Sequence, residues 1–277
     1  MSRSRDPYRG VLDAARARRA FRLARHEPHP ALKPWIDTYW EVRWDLPEGT
    51  RHRQIVIADT AVNVTVEPEA WLYGVPGPAF VREIAGSGRV FGVKFRAGAF
   101  ASWWDRPLKS IYNKRVPLES VWGDPALVWA RAVAAEDLLA NRAALADEYL
   151  LARNHGPIGE GSRCAVRLFD DESLIRVEDA CAALGYDIRG LQRLFSREIG
   201  ASPKEVLRRY RLLEAAGRLD QEPQLSGAAL AARLGYADQA HFIRDFRAVT
   251  GVSPEAYRRR GLSGSASNGT SEPQGDS

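Results

Sequence analysis

The sequence predicts a mixed α+β chain of several domains. A β-barrel or sandwich-like N-terminal unit comes first, helices follow, and an all-α unit closes the chain. Three observations predict this. Residues 29–123 carry short alternating apolar runs separated by turn signals. Residues 124–153 switch to helix formers with apolar positions three and four apart. The stretch LGYDIRGLQRLFSREIGASP, residues 184–203, returns as LGYADQAHFIRDFRAVTGVSP, residues 234–254. A length of 277 residues suits two domains better than one.

Residues 1–28 read as a basic arm or helix. Residues 1–30 hold eight arginines against three acids, which equals the whole chain's net charge of +5. Residues 31–163 hold sixteen charges of each sign, and residues 164–260 hold sixteen basic against fourteen acidic. A polyanion bound by the C-terminal unit must therefore meet its positive charge on one face. The N-terminus lacks the apolar core and small-residue cleavage site of a secretory signal. No apolar run approaches the ~18 residues of a membrane span, so no membrane partner is expected. Two cysteines, Cys164 and Cys181, make neither a disulfide framework nor a cysteine-only zinc site. A reducing cytoplasm is the expected compartment.

In residues 29–123, RQIVIADTAVNVTVEP alternates at Val62, Val64 and Val66 with polar residues between. WLYGVPGPAFVREI and GRVFGVKFRAG add further short strands, and LPEG, VPGP, GSG and RAG supply turns. Six of the eight tryptophans lie between residues 35 and 104. Residues 124–153 read as a helical connector with an apolar stripe at Val133, Leu138, Leu145 and Tyr149. Glycines and a proline mark residues 154–163 as a linker. Residues 164–260 read as short helices. Residues 261–277 are Ser/Gly-rich with one larger apolar side chain, Leu262, and are expected to be disordered.

The repeat has an internal grammar. VEDACAAL and GAALAARL are short helices with small residues on the buried face, closed by Gly185 and Gly235. Tyr186 and Tyr236 follow as anchors. After one extra residue in the second copy, Leu191 aligns with Phe242, Phe195 with Phe246, and Ser202-Pro203 with Ser253-Pro254. Each Ser-Pro reads as an N-cap with proline in the first turn, and Glu205 completes a capping box in the first copy alone. Helix, glycine turn and helix with one apolar stripe make a helix-turn-helix unit. Between the copies lies a helix of about 17 residues, roughly 25 Å long. That length is compatible with two reading helices one DNA turn apart, near ~34 Å, and equally with a purely structural pair of helical hairpins.

On LGYDIRGLQRLFSREIGASPKE, RLLEAAGRL and LGYADQAHFIRDFRAVTGVSPEAYRRR, residues 164–260 resemble the double helix-turn-helix DNA-binding domain of AraC/XylS-type transcription regulators. The resemblance implies double-stranded DNA as partner, RNA polymerase as a second partner, and activation of transcription. Helical geometry turns Arg189, Gln192 and Arg193 away from the first buried stripe, and Gln239, His241 and Arg244 away from the second. By resemblance these are base-contact positions. Arginine can grip guanine, and glutamine adenine. Elsewhere an exposed helical arginine is usually just solvated. Arg197 and Arg247, further along each helix, suit phosphates or solvent. Two departures stand out: Gly227 where the family has an apolar residue, and Val206 in place of an expected Tyr. Both imply looser anchoring.

The N-terminal half resembles, more loosely, the β-rich domains that precede such modules in one AraC subgroup. This implies effector binding, homodimerisation or both, and transfers no binding residues. Trp40, Trp44, Trp71, Tyr73 and Phe95 are candidates to line a pocket for a flat or apolar small-molecule effector; filling the barrel is their other use. His26, His29 and His52 lack the companions of a metal site, and no cofactor is expected. No nucleophile elbow, Gly-rich phosphate loop or H-E-x-x-H motif is present, and the front half has no cysteine, so an enzyme is not expected. Two functions stay open: a ligand-controlled regulator, and a ligand-independent DNA binder whose front domain serves protein–protein contacts. Either would be cytoplasmic and nucleoid-associated.

Overall fold

A computed structural model describes residues 8, 10–77, 79–153, 155–171, 173–222 and 224–265. The alternating runs form strands β1 (Arg22–His26), β2 (Ile36–Asp45), β3 (Arg51–Val56), β4 (Asn63–Glu67), β5 (Glu69–Tyr73), β6 (Phe80–Ala85), β7 (Ser87–Phe95) and β8 (Arg115–Pro117). Six of them pair antiparallel in the order β1-β2-β7-β4-β5-β8, and β3 pairs with β6 in a separate two-stranded sheet. The unit is thus two antiparallel sheets, not a closed barrel.

The sheet begins earlier than residue 29. Helix α1 (Ala14–Ala20) leads into β1, which pairs along β2. Its exposed arginines disguise this edge strand as part of a basic arm. Phe21, buried against Tyr8 and His52, pins its start.

Register places Tyr39, Phe91, Val93, Val64, Val66 and Leu72 on one face of the large sheet, all buried. That face is covered by α3 (Asp124–Ala135) and α4 (Leu139–Leu151), reached through the short α2 (Glu119–Trp122). The connector is therefore a hairpin rather than one helix. Its chain turns extended at Glu136, and Leu138 is 64% exposed instead of joining the stripe. Doubling back lets two apolar faces cover one sheet. Arg142, on α4, fixes the turn: it is fully buried, donates to Glu41 Oε2 at 2.8 Å, and donates twice to the Glu136 carbonyl at 2.9 and 2.6 Å. Asp147 accepts from the Tyr39 hydroxyl at 2.6 Å and the His29 N–H at 2.9 Å.

The remaining helices are α5 (Glu160–Asp170), α6 (Val177–Leu184), α7 (Ile188–Glu198), α8 (Pro203–Gln221), α9 (Gly227–Arg233), α10 (Gln239–Thr250) and α11 (Pro254–Ser265). Helix α5 starts inside the expected linker, because Cys164, Ala165 and Leu168 are buried on its inner side. Helix α11 runs into the expected tail, whose residues 266–277 lie outside the described residues. One continuous core joins the large sheet, α3, α4, α5–α7 and the start of α8. The second helical unit has a core of its own, which Leu12 and Ile57 enter from the N-terminal side. Among the described residues no helix is long and apolar enough to cross a membrane.

The Arg142–Glu41 pair yields a prediction. Arg142→Met should cost about 3 kcal/mol in urea denaturation, the low end for a broken buried pair, because Arg43 still bonds Glu41. Adding Glu41→Leu should recover part of the loss; an unchanged midpoint for Arg142→Met alone contradicts this account.

Candidate nucleic-acid interface

Each helix-turn-helix unit is built from local signals. Helix α6 ends at Gly185 and α9 is followed by Gly235, both in the left-handed region at φ 74° and 68°. Asp187 then caps α7 by accepting from the Gly190 N–H, and Asp238 caps α10 by accepting from the His241 N–H at 2.6 Å. Ser202 and Glu205 form the reciprocal capping box of α8, and Ser253 Oγ accepts from the Ala256 N–H at 3.2 Å.

The buried stripes are Leu191, Leu194 and Phe195 on α7, and Phe242 and Phe246 on α10. On the outward faces, Arg189, Gln192, Arg193, Gln239, His241 and Arg244 are all exposed, as are Arg197 and Arg247. Arg189, Arg193, Arg244 and Arg247 make no ion pair among the described residues. Three other polar residues are held. Arg197 pairs with Glu198 at 2.6 Å. The His241 ring stands edge-on to Tyr236, 5.2 Å away, and its Nε2 lies 4.0 Å from Asp245. Asp245 also pairs with Arg208 at 3.1 Å. Burial pushes the Tyr236 phenol up to about 12, so this anchor stays neutral.

Both departures from the family pattern are accommodated in the packing. Val206 is fully buried. A Cβ on Gly227 would meet Gln239 Nε2 at 2.7 Å, so the missing side chain makes room for an amide of the facing helix.

Helix α8 is gripped from the N-terminal side. Arg209 is 5% exposed and donates to the carbonyls of Asp59, at 3.3 Å, Pro76 and Gly77. Burial holds its pKa below the ordinary arginine value. The Tyr112 hydroxyl donates to Glu205 at 2.6 Å. Sequence reading missed Arg209, yet a signal existed: it interrupts the spacing Val206, Tyr210, Leu213, a buried stripe in which a charge needs partners.

The aromatic pocket set divides. Trp40, Trp44, Trp71 and Tyr73 share the open face of the large sheet, but Phe95 lies on the other side, fully buried against Phe100 and Trp103. The strand period of two puts it there. The shared face is largely self-filled. Trp40 and Trp44 lie so close over Gly92 and Gly88 that a Cβ at either glycine would overlap the indole. Their ring nitrogens donate to Asn63 Oδ1 at 3.3 Å and the Ala85 carbonyl at 3.1 Å. Arg115 covers Trp71 at 3.9 Å, and Phe80 meets Tyr73 at 5.9 Å. Beside them Lys94 bridges Asp37 and Asp59 at 2.8 and 2.6 Å. Burial opposes its charge, but the two carboxylates hold its pKa above the usual lysine value. Among the described residues no group of three His, Cys, Asp or Glu side chains could hold a metal ion.

Residues 180–260 match the family described as a helix-turn-helix domain, and residues 24–117 match a domain of unknown function, DUF6597. The probable transcription factor PqrA of Proteus vulgaris is 34% identical over 87 residues, covering 31% of this chain and 70% of PqrA. The chain belongs to the AraC family. A second AraC-family relative, the HTH-type transcriptional activator AarP of Providencia stuartii, is 33% identical over 30% of this chain and 62% of AarP. Across several curated relatives the chain spans 22% to 70% of their lengths. The ToxT structure from Vibrio cholerae covers 87% of this chain and 98% of its own, at 11% identity and a TM-score of 0.38.

Gly200 and Gly251 occupy matching places in this AraC-family repeat, at φ 86° and 76°. Alanine at Gly251 meets open space and should cost about 1–2 kcal/mol for the left-handed backbone. At Gly200 its Cβ would also press on the Leu108 carbonyl, 2.9 Å away. Thermal unfolding should therefore rank Gly200→Ala clearly below Gly251→Ala; equal losses contradict the contact.

Proposed function

We propose that the protein is a sequence-specific transcription regulator that reads two adjacent major-groove segments of double-stranded DNA with α7 and α10. The observation that carries this reading is the pair Arg193 and Arg244. They stand 51 residues apart at matching positions of two capped helices, exposed and without ion pairs among the described residues. Arg189 and Gln192 extend the first reading surface, Gln239 and His241 the second. Arg247 serves a phosphate. Arg197 does so by leaving Glu198, whose other carboxylate oxygen keeps the Gly161 N–H.

Helix α8 spaces the two surfaces. Its 19 residues correspond to about 28 Å of rise at ~1.5 Å each, and with the helix widths added this approaches one DNA turn. The scaffold repeats but the outward set does not, so each protomer reads an asymmetric site. AarP is named an activator, and activation through RNA polymerase is the direction proposed here.

The working division places a sensing or dimerising unit in the two sheets with α3 and α4, and the DNA module from α5 onward. A second reading has one observation in its favour: the aromatic face is occupied by its own side chains, which suits an N-terminal unit that makes only protein–protein contacts.

Gel-shift competition on a selected binding site tests the reading positions. Arg193→Ala and Arg244→Ala should each lose about 1–3 kcal/mol of preference in one half of the site and keep most nonspecific affinity. Wild-type preference in either variant sinks the assignment. A palindrome inside one protomer's footprint counts against the asymmetric reading.

A further inference from the structure

The ladder between β4 and β7 stops at Val66–Phe91, while β7 continues beside β2 to Ser87. Strand β4 has by then turned back at Pro68 into β5. The sheet therefore has a notch at its end, and a cleft of about 400 Å³ opens there. That volume is within the ~300–1,000 Å³ typical of small-molecule sites. It lies at the opposite end of β4 and β7 from the loops that hold α8.

The lining chemistry is lopsided. Trp44, Val66, Pro68 and Ala134 give it an apolar wall. Arg82, Arg89 and Arg142 supply three guanidinium groups, against one carboxylate, Glu67. Two of the three are committed inside the protein. Arg142 holds Glu41 and the Glu136 carbonyl, and Arg82 holds Glu67, itself 18% exposed, at 2.7 Å. Arg89 differs. Its guanidinium is anchored on the Ala134 carbonyl at 2.7 Å, and its carboxylate partner at 2.6 Å is Asp137, a side chain 85% exposed on the α3–α4 turn. So exposed a pair is weakly held.

We propose that this notch binds a small molecule with one oxyanionic group on an apolar body, and that Arg89 receives the anion by exchanging Asp137 for it. Carboxylates and phosphate esters share the chemistry, since a guanidinium fork accepts either. Asp137, exposed and outside the cleft's lining, shows that the Arg89 guanidinium takes a carboxylate. Counting Arg43 and Glu41 beside the cleft, four guanidinium groups face three carboxylates including Asp137. A carboxylate that replaces Asp137 keeps that balance, and a phosphate monoester, close to a dianion at neutral pH, also offsets the fourth guanidinium, while Asp137 turns into water. The apolar body lies against Trp44 and Pro68. Arg89 and Asp137 tie β7 to the α3–α4 turn, so the exchange loosens a contact between sheet and helices. This names a ligand class for the sensing role proposed above and rests on that reading.

Calorimetry on the full chain tests it, with phenylacetate and phenyl phosphate as probes and phenylacetamide as the uncharged control. At least one anion should bind, and the amide should bind about tenfold more weakly or worse. Arg89→Gln should weaken the anion about tenfold. Asp137→Asn, which removes an exposed competitor, should tighten it. The proposal is overturned if neither anion binds wild type or Asp137→Asn, if the amide binds as well, or if the two substitutions leave affinity unchanged. Which anion wins separates carboxylate from phosphate recognition. An anion that binds without altering DNA affinity leaves the site standing and removes the sensing role.

Discussion

A charged side chain with no carboxylate among its hydrogen-bond acceptors holds this molecule together. Arg209 enters the N-terminal unit from α8 and spends its donors on backbone carbonyls of two loops, at Asp59 and at Pro76 and Gly77. A buried guanidinium without acceptors is strongly unfavourable, so the loops and the helix have to keep one relative position. Around it gather Tyr112 with Glu205, Thr60 facing Tyr210, and the apolar contacts of Ile57 and Leu12 with the second helical core. Asp59 adds a second link, because its side chain holds Lys94 on the open face of the sheet while its carbonyl holds Arg209. A disturbance on that face and the placement of α8 therefore share a residue.

The two helix-turn-helix units are alike in sequence and unlike in circumstance. The first merges its core with the sheet and the α3–α4 hairpin. The second has a separate core and meets the N-terminal side through Leu12, Ile57 and the contact of α1 with α11. Helix α7 thus shares the core of the sheet, while α10 packs in a core that Leu12 and Ile57 enter from the N-terminal side. Buried arginines join elements twice: Arg142 ties α4 to Glu41 of the sheet, and Arg209 ties α8 to the loops at Asp59 and Pro76. Such groups contribute less to net stability than apolar replacements of equal size often do. What they supply here is a single geometry.

Much of the C-terminal half was legible because its signals are local. Glycine turns, Asp and Ser caps, and Leu/Phe stripes act within four residues, and a repeat shows them twice. Exposure of Arg193 and Arg244 followed from the stripe alone. The N-terminal half was read coarsely, since strand pairing is not local. Nothing near Arg22 announces that it opens a strand beside Arg43. The connector's break was hidden because its helix formers run on through the turn, and the reason for the turn is Glu41, a hundred residues away. Phe95 faces the buried side because one-residue parity inverts a strand, so its neighbour Lys94 takes the open face. Trp40 and Trp44 rest on Gly92 and Gly88, four apart in GRVFGV, a spacing in which each glycine marks the bed of one indole.

The shared core of the first unit has an evolutionary and practical side. Regulators of this kind invite treatment as two cassettes joined by string, each portable. Here a cut ahead of α5 would bare Ile199, Val206, Tyr210 and Leu213 together, along with the Arg209 guanidinium. The DNA module is a graft whose rootstock is the sheet domain. In this chain the loops at Asp59, Pro76 and Leu108 belong to the module's seat as much as the linker does, so a partner that lacked their equivalents would leave that seat unfilled.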